Sequence, residues 1–176
     1  MKILKRILIG IVAIIAVLLL TALFVNKDYN VERSVSINKP KEQVFSFVKQ
    51  AKNQDQYNKW IQADPQVKKT YRGEDGTVGF VYAWESKEVG KGEQEISSIR
   101  EGEQIDFALR FKEPFESNAA ARMTTEAVAD NQTKVSWRME GSSPYPMNLM
   151  NLFVPSVLGK DLEASLENLK TILEKQ

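Results

Sequence analysis

The chain contains no histidine and no cysteine. This removes the usual general base near neutral pH, the Ser-His-Asp arrangement, the thiol nucleophile and thiolate or imidazole metal ligation. Acid–base work would fall to carboxylates. Glu85, Asp106, Glu126 and Glu140 lie in segments that alternate apolar and polar residues, as half-buried strands do. By that alternation Asp106 and Glu140 point to water, and Glu85, which follows inward Trp84, does so too. The pattern predicts no buried carboxylate pair of the kind general acid–base catalysis favours. We therefore expect no catalytic residue, metal site or cofactor, and the reading leans away from an enzyme. Gly73, Gly76, Gly79, Gly90 and Gly92 match neither a P-loop nor a dinucleotide fingerprint. They read as turn and bulge glycines.

What the chain does offer is aromatic and soft apolar surface. Phe80, Tyr82 and Trp84 share one strand face. So do Phe107, Leu109 and Phe111, and, further on, Trp137 and Met139. With Trp60 and Met123 these are candidates to line a cavity for a flat or flexible apolar molecule. The competing reading is plain core. Tyr82 is a candidate polar handle inside such a space, whereas Arg122 has the opposite parity from Ala121 and Met123. Met147, Met150, Leu152 and Phe153, with Pro155, form an irregular apolar stretch. It reads as a gate at a cavity mouth, a surface that dips into a membrane, or packing on a sheet edge. We take Phe153 as a lining candidate, and Pro155 should interrupt any helix there.

These side chains need a frame. Residues 67–140 read as successive strands with short turns at residues 73–76, near Gly90 and Gly92, at residues 101–102 and at residues 130–131, an antiparallel meander. An earlier strand spans Val31 to Ile37. Short helices follow at residues 41–49, with Asn38 as cap and Pro40 in the first turn, and at residues 53–60. The last element, residues 158–175, carries Leu158, Leu162, Leu166, Leu169, Ile172 and Leu173 on one face, with Lys160, Asp161, Glu163, Glu167, Lys170 and Glu174 opposite. This is an amphipathic helix that needs an apolar surface to lie on. Leu162 and Leu166 are further lining candidates, because part of the stripe would roof a cavity. The approach through Pro155 and Gly159 is where an opening motion is expected.

At the other end, Ile7 to Val25 is an uncharged apolar run long enough to cross a bilayer core of about 30 Å. Lys2, Lys5 and Arg6 precede it, so the positive-inside rule puts residues 1–6 in the cytoplasm and the rest outside. The run stays apolar past the small pair Thr21-Ala22, which favours an uncleaved signal anchor in the cell membrane over a cleaved signal. Residues 26–30 read as a short linker and residues 31–176 as one domain. Formal net charge is +1, with 24 basic and 23 acidic residues. Setting aside Lys2, Lys5 and Arg6 leaves the remainder at −2. Neither value suggests nucleic acid or electrostatic docking on anionic lipid.

Several stretches carry a family resemblance: VERSVSINKPKEQVFSFV at Val31–Val48, YNKW at Tyr57–Trp60, GTVGFVYAW at Gly76–Trp84 with GKGEQEI at Gly90–Ile96, and GKDLEASLENLKTILE at Gly159–Glu174. Together with the order of elements, they make the chain resemble the START-like or SRPBCC superfamily, in its polyketide cyclase/dehydrase-like and lipid transport branch. The resemblance implies an α+β helix-grip fold, in which a curved antiparallel sheet wraps a long C-terminal helix and leaves an apolar cavity. It implies a lipid or other hydrophobic small molecule as partner. Two alternatives stay open: a cyclase-like enzyme working by cavity shape and bound water, and a protein-interaction or stress-response module whose cavity is vestigial. The superfamily has no shared catalytic motif to carry over.

Overall fold

The structure is a computed structural model that describes residues 2–176. It begins with a long apolar helix, α1 (Lys2–Ala22). Seven strands follow: β1 (Asp28–Ile37), β2 (Lys68–Arg72), β3 (Val81–Ser86), β4 (Gly90–Arg100), β5 (Gln104–Glu113), β6 (Ser117–Ala129) and β7 (Gln132–Ser142). They form one antiparallel sheet in the order β1-β7-β6-β5-β4-β3-β2. Between β1 and β2 lie α2 (Lys41–Lys49), a 3-10 turn (Ala51–Asn53), α3 (Gln54–Tyr57) and α4 (Lys59–Gln62). A 3-10 helix (Met147–Leu152) leads from β7 into the final helix, α5 (Val154–Lys175). The curved sheet with its long C-terminal helix is the α+β arrangement that the alternation and the helical stripe predicted.

The parity of the strands decides what is inside. Ile105, Phe107 and Leu109 are buried on β5, and Val135, Trp137 and Met139 on β7. Leu162, Leu166, Leu169 and Leu173 of α5 are fully buried against them, with Phe45, Val44 and Val48 of α2. The other sheet face carries charge pairs, among them Arg122–Asp106 (2.6 Å) and Arg138–Glu32 (2.8 Å). Asp106 therefore faces outward, and so does Arg122. Glu85 is exposed between Lys68 and Lys91.

Several local expectations are corrected. The apolar helix starts earlier and stops at Ala22, leaving Leu23 and Phe24 exposed beyond it. The segment read as a linker is largely strand, since Asp28, Tyr29 and Asn30 pair with Ser142, Gly141 and Glu140. Asn38 does not cap α2. Its side chain accepts from Gln132, its backbone N–H donates to Glu174, and Pro40 occupies the cap position. The helix expected over residues 53–60 is broken at Asn58, whose side chain caps α4 by accepting from the Trp60 N–H. Val78 is exposed, because β3 starts only at Val81. Pro155 sits in the first turn of α5, where its missing N–H costs nothing, so it starts the helix rather than interrupting it. Gly159 is no weak point either. The Arg33 guanidinium occupies the space a side chain there would fill, and it donates to the Pro155 carbonyl (3.3 Å).

The two ends of the sheet differ. Antiparallel pairing gathers Asp28, Lys68, Ser86, Gly90, Glu113, Ser117 and Ser142 at one end. The 3-10 helix Met147–Leu152 follows directly from that end and contacts α1. We refer to it as the proximal end.

Candidate functional site: an apolar cavity with an amide wall

A cavity of about 370 Å³ lies between the inner face of the sheet and the short helices. Its sheet wall comes from Tyr82 and Trp84 of β3, Gln94 of β4, Leu109 and Phe111 of β5, Ala121 of β6, and Trp137 and Met139 of β7. Gln54, Asn58, Trp60 and Ile61 close it from α3 and α4, and Glu88 and Val89 border it from the β3–β4 turn. The chain has three tryptophans, and all of them line this one space.

The aromatic rings are held in defined orientations. Trp60 meets Trp137 edge-on (centroids 6.2 Å, 85°), and Trp84 meets Phe111 similarly (5.9 Å, 70°). Trp84 can lie where it does because residue 92 is glycine. A Cβ there would come within 2.6 Å of the Trp84 ring and 2.8 Å of the Arg110 carbonyl. Trp60 is pinned from behind, since its indole N–H donates to Asp161 of α5 (3.2 Å), which also pairs with Lys59 (2.6 Å). The Lys59 N–H donates to Ser165 one turn further along (3.0 Å). The polar face of α5 thus fixes the rim of the cavity, while its leucine face stays in the core.

The deep wall is polar on one side. Gln54 accepts from Asn58 (3.1 Å) and from Gln94 (3.0 Å), and all three are buried. Among the described residues, Gln54 Nε2 and Trp137 Nε1 have no hydrogen-bond partner. A buried donor left unmet costs about 1–3 kcal/mol. The Tyr82 hydroxyl is already engaged, donating to Asp55 (2.6 Å), which Lys69 neutralises at 2.9 Å. Burial and then that hydrogen bond raise the Tyr82 pKa far above its ordinary value. Tyr82 is thus an apolar wall with a fixed phenol, rather than a free handle or a base. Among the described residues no group of three carboxylates converges as metal ligands would.

Of the residues singled out in the sequence, Trp60, Tyr82, Trp84, Leu109, Phe111, Trp137 and Met139 come together around this space. Phe80, Phe107, Met123, Leu162 and Leu166 do not border it and are sealed in the core. Met123 is covered by Tyr57, whose hydroxyl lies 3.8 Å from its sulfur. Phe153 is 62% exposed and does not border the cavity. Sequence reading missed Gln54, Asn58 and Gln94. Gln94 shares the parity of Ile96 on β4, and Gln54 and Asn58 are four residues apart, but glutamine and asparagine carry no periodic signal on their own.

Residues 29–174 match the family model described as polyketide cyclase / dehydrase and lipid transport. The chain belongs to this family. No curated protein matches it in sequence. Among solved structures with the same fold, norcoclaurine synthase from Thalictrum flavum, in complex with dopamine and hydroxybenzaldehyde, superposes with a TM-score of 0.65 at 8% identity, over 85% of this chain and 88% of that one. The di-domain ARO/CYC BexL from the BE-7585A biosynthetic pathway gives 0.61 at 16% identity, over 85% of this chain and 51% of that one. A Thermobifida fusca protein gives 0.59 at 20% identity, over 83% and 93%. At these identities the likeness is one of fold.

Proposed function

We propose that this family member is a membrane-anchored binding protein that holds a hydrophobic small molecule or a single lipid chain in the cavity between sheet and helices. The observation that carries the reading is the lining: three tryptophans, Phe111, Leu109 and Met139 around about 370 Å³, with the amides of Gln54, Asn58 and Gln94 on one side. That volume falls at the small end of the range of about 300–1,000 Å³ for small-molecule sites. It suits one apolar chain or a compact ring system better than a whole two-tailed phospholipid. The amide wall and the Trp137 N–H favour a ligand with an oxygen acceptor at its inner end, because such an acceptor would pair buried donors that no protein group meets. Anchoring rests on α1, whose segment Ile3–Ala22 is 20 residues long and apolar enough to cross a membrane. The basic residues before it favour an outward-facing domain. A catalytic reading has less support, since Tyr82 is tied to Asp55 and Glu85 is solvated.

The three tryptophans make the test direct. Parinaric acid, a polyene fatty acid that accepts tryptophan emission, is titrated into the purified protein. Saturable energy transfer, abolished by Ala121→Phe, which fills the cavity floor, is the expected result. Transfer that neither saturates nor responds to Ala121→Phe would remove the cavity as the binding site.

A further inference from the structure

The proximal end carries a second apolar surface. Met147, Met150, Leu152, Phe153 and Val157 are all exposed, at 48%, 57%, 58%, 62% and 62%. They sit on the 3-10 helix and the first turn of α5. Phe115, in the β5–β6 turn at the same end, is 71% exposed. Beyond α1 and its exit, the remaining exposed large apolar side chains are Tyr145, just before the same 3-10 helix, and Tyr71, Val78 and Val128 elsewhere. Exposed apolar side chains concentrated on one short segment of an otherwise well-buried domain mark an interaction site.

The place of this surface in the chain names its occupant. The 3-10 helix is bolted to the point where α1 ends. Asn148, fully buried, donates from Nδ2 to the carbonyls of Ala22 (2.7 Å) and Val25 (2.8 Å). Asn151 donates to the carbonyls of Asn26 (3.0 Å) and Lys27 (2.7 Å), and is itself held by Ser143 (2.9 Å). The bond to Ala22 satisfies a carbonyl that the end of α1 leaves open, and the other three fix the segment that leaves it. They also hold the apolar surface beside Leu23 and Phe24 rather than letting it swing on a tether. The cavity opens at this same end: Glu88 is exposed and Trp84, Val89 and Phe111 are only partly buried, while Gln54, Tyr82 and Trp137 are buried deeper.

We infer that the surface formed by Met147, Met150, Leu152, Phe153 and Val157 lies in the interface of the bilayer that α1 crosses, so that the cavity mouth faces lipid and its ligand is exchanged with the membrane. The inference rests on reading α1 as a membrane span. Amphipathic surfaces of this kind bury themselves at the headgroup–acyl boundary by apolar area. The charges around this one are mixed, with Lys27, Asp28, Glu113, Glu116 and Lys160, so contact does not depend on anionic lipid.

The natural absence of cysteine makes the test clean. Single cysteines at Ile14 (α1), Met150, Phe153 and Asp130 (the opposite end) receive an environment-sensitive fluorophore in the full chain. Each variant is reconstituted in phosphatidylcholine vesicles with and without brominated acyl chains. The expected result is blue-shifted emission, quenched by brominated lipid, at positions 14, 150 and 153, with Asp130 reached only by aqueous iodide. Adding anionic lipid or salt should change nothing. Quenching at position 14 with positions 150 and 153 behaving like Asp130 overturns the inference and leaves the anchor standing. Loss of lipid quenching at position 14 removes the anchor reading, and the inference with it. A signal at 150 and 153 that needs anionic lipid overturns apolar insertion as its cause.

Discussion

At the scale of single residues, burial separates two kinds of aromatic that the sequence could not tell apart. Phe107 is 2% exposed and packed all round, so Phe107→Ala should cost about 3–5 kcal/mol in urea denaturation. Trp84 borders open space, and Trp84→Ala should cost far less stability while weakening ligand uptake. Equal losses for the two would mean that the cavity is packed core. Gly92→Ala should act like a ligand-site mutation, because the added Cβ displaces the Trp84 ring. Alternation assigns a side chain to a face and says nothing about whether an atom lies beyond it. This is why Phe80, Phe107 and Met123 shared a signature with Trp84, Phe111 and Met139. Glu93 shows the reverse case. It is 9% exposed on the outer face beside Arg110 (3.0 Å), Arg72 (3.4 Å) and Lys112 (3.8 Å). Burial alone would raise its pKa, but the three cations outweigh it and the net shift is downward. Its contribution is therefore present above the unfolded value of about 4.3 and is lost as pH falls through the lower folded value. Glu93→Gln should cost roughly 1–3 kcal/mol at pH 7. It should also flatten the acid limb of a stability-versus-pH curve, and an unchanged limb would discount the cluster.

At the scale of elements, the sequence made β1, the meander and α5 legible because each buries one face along many residues. It also marked α2 at residues 41–49, but it missed the break at Asn58 that divides the second short helix, and it missed the 3-10 helix, which is held by side-chain contacts across long sequence distances. Asn148 is the clearest example: its partners, Ala22 and Val25, precede it by more than a hundred residues, and no periodicity marks it. Asn148→Ala should cost about 1–3 kcal/mol by leaving those carbonyls unmet. Spin labels on the domain should then show faster reorientation relative to α1. Unchanged mobility would mean that α1 and the domain are coupled elsewhere. The expected weak point at Gly159 became a packed contact with Arg33. Gly159→Ala should therefore destabilise by displacing the guanidinium, and in denaturation a stabilised variant would show that helix propensity outweighs that contact.

At the scale of the molecule, the family and the curved sheet with its helix follow from the order of elements. The division of labour along α5 does not. Its leucine stripe seals the core and its Asp161 and Ser165 fix the rim at Trp60 and Lys59, so the roof comes from α3 and α4 instead. The central claim is that the cavity carries an apolar ligand. Native mass spectrometry of the full chain, purified from cells in mild detergent and paired with organic extraction, tests it most directly. The account predicts a bound species of one defined mass, small enough for about 370 Å³, that is absent from Ala121→Phe. An unliganded wild-type protein, or the same adduct retained by Ala121→Phe, would contradict it.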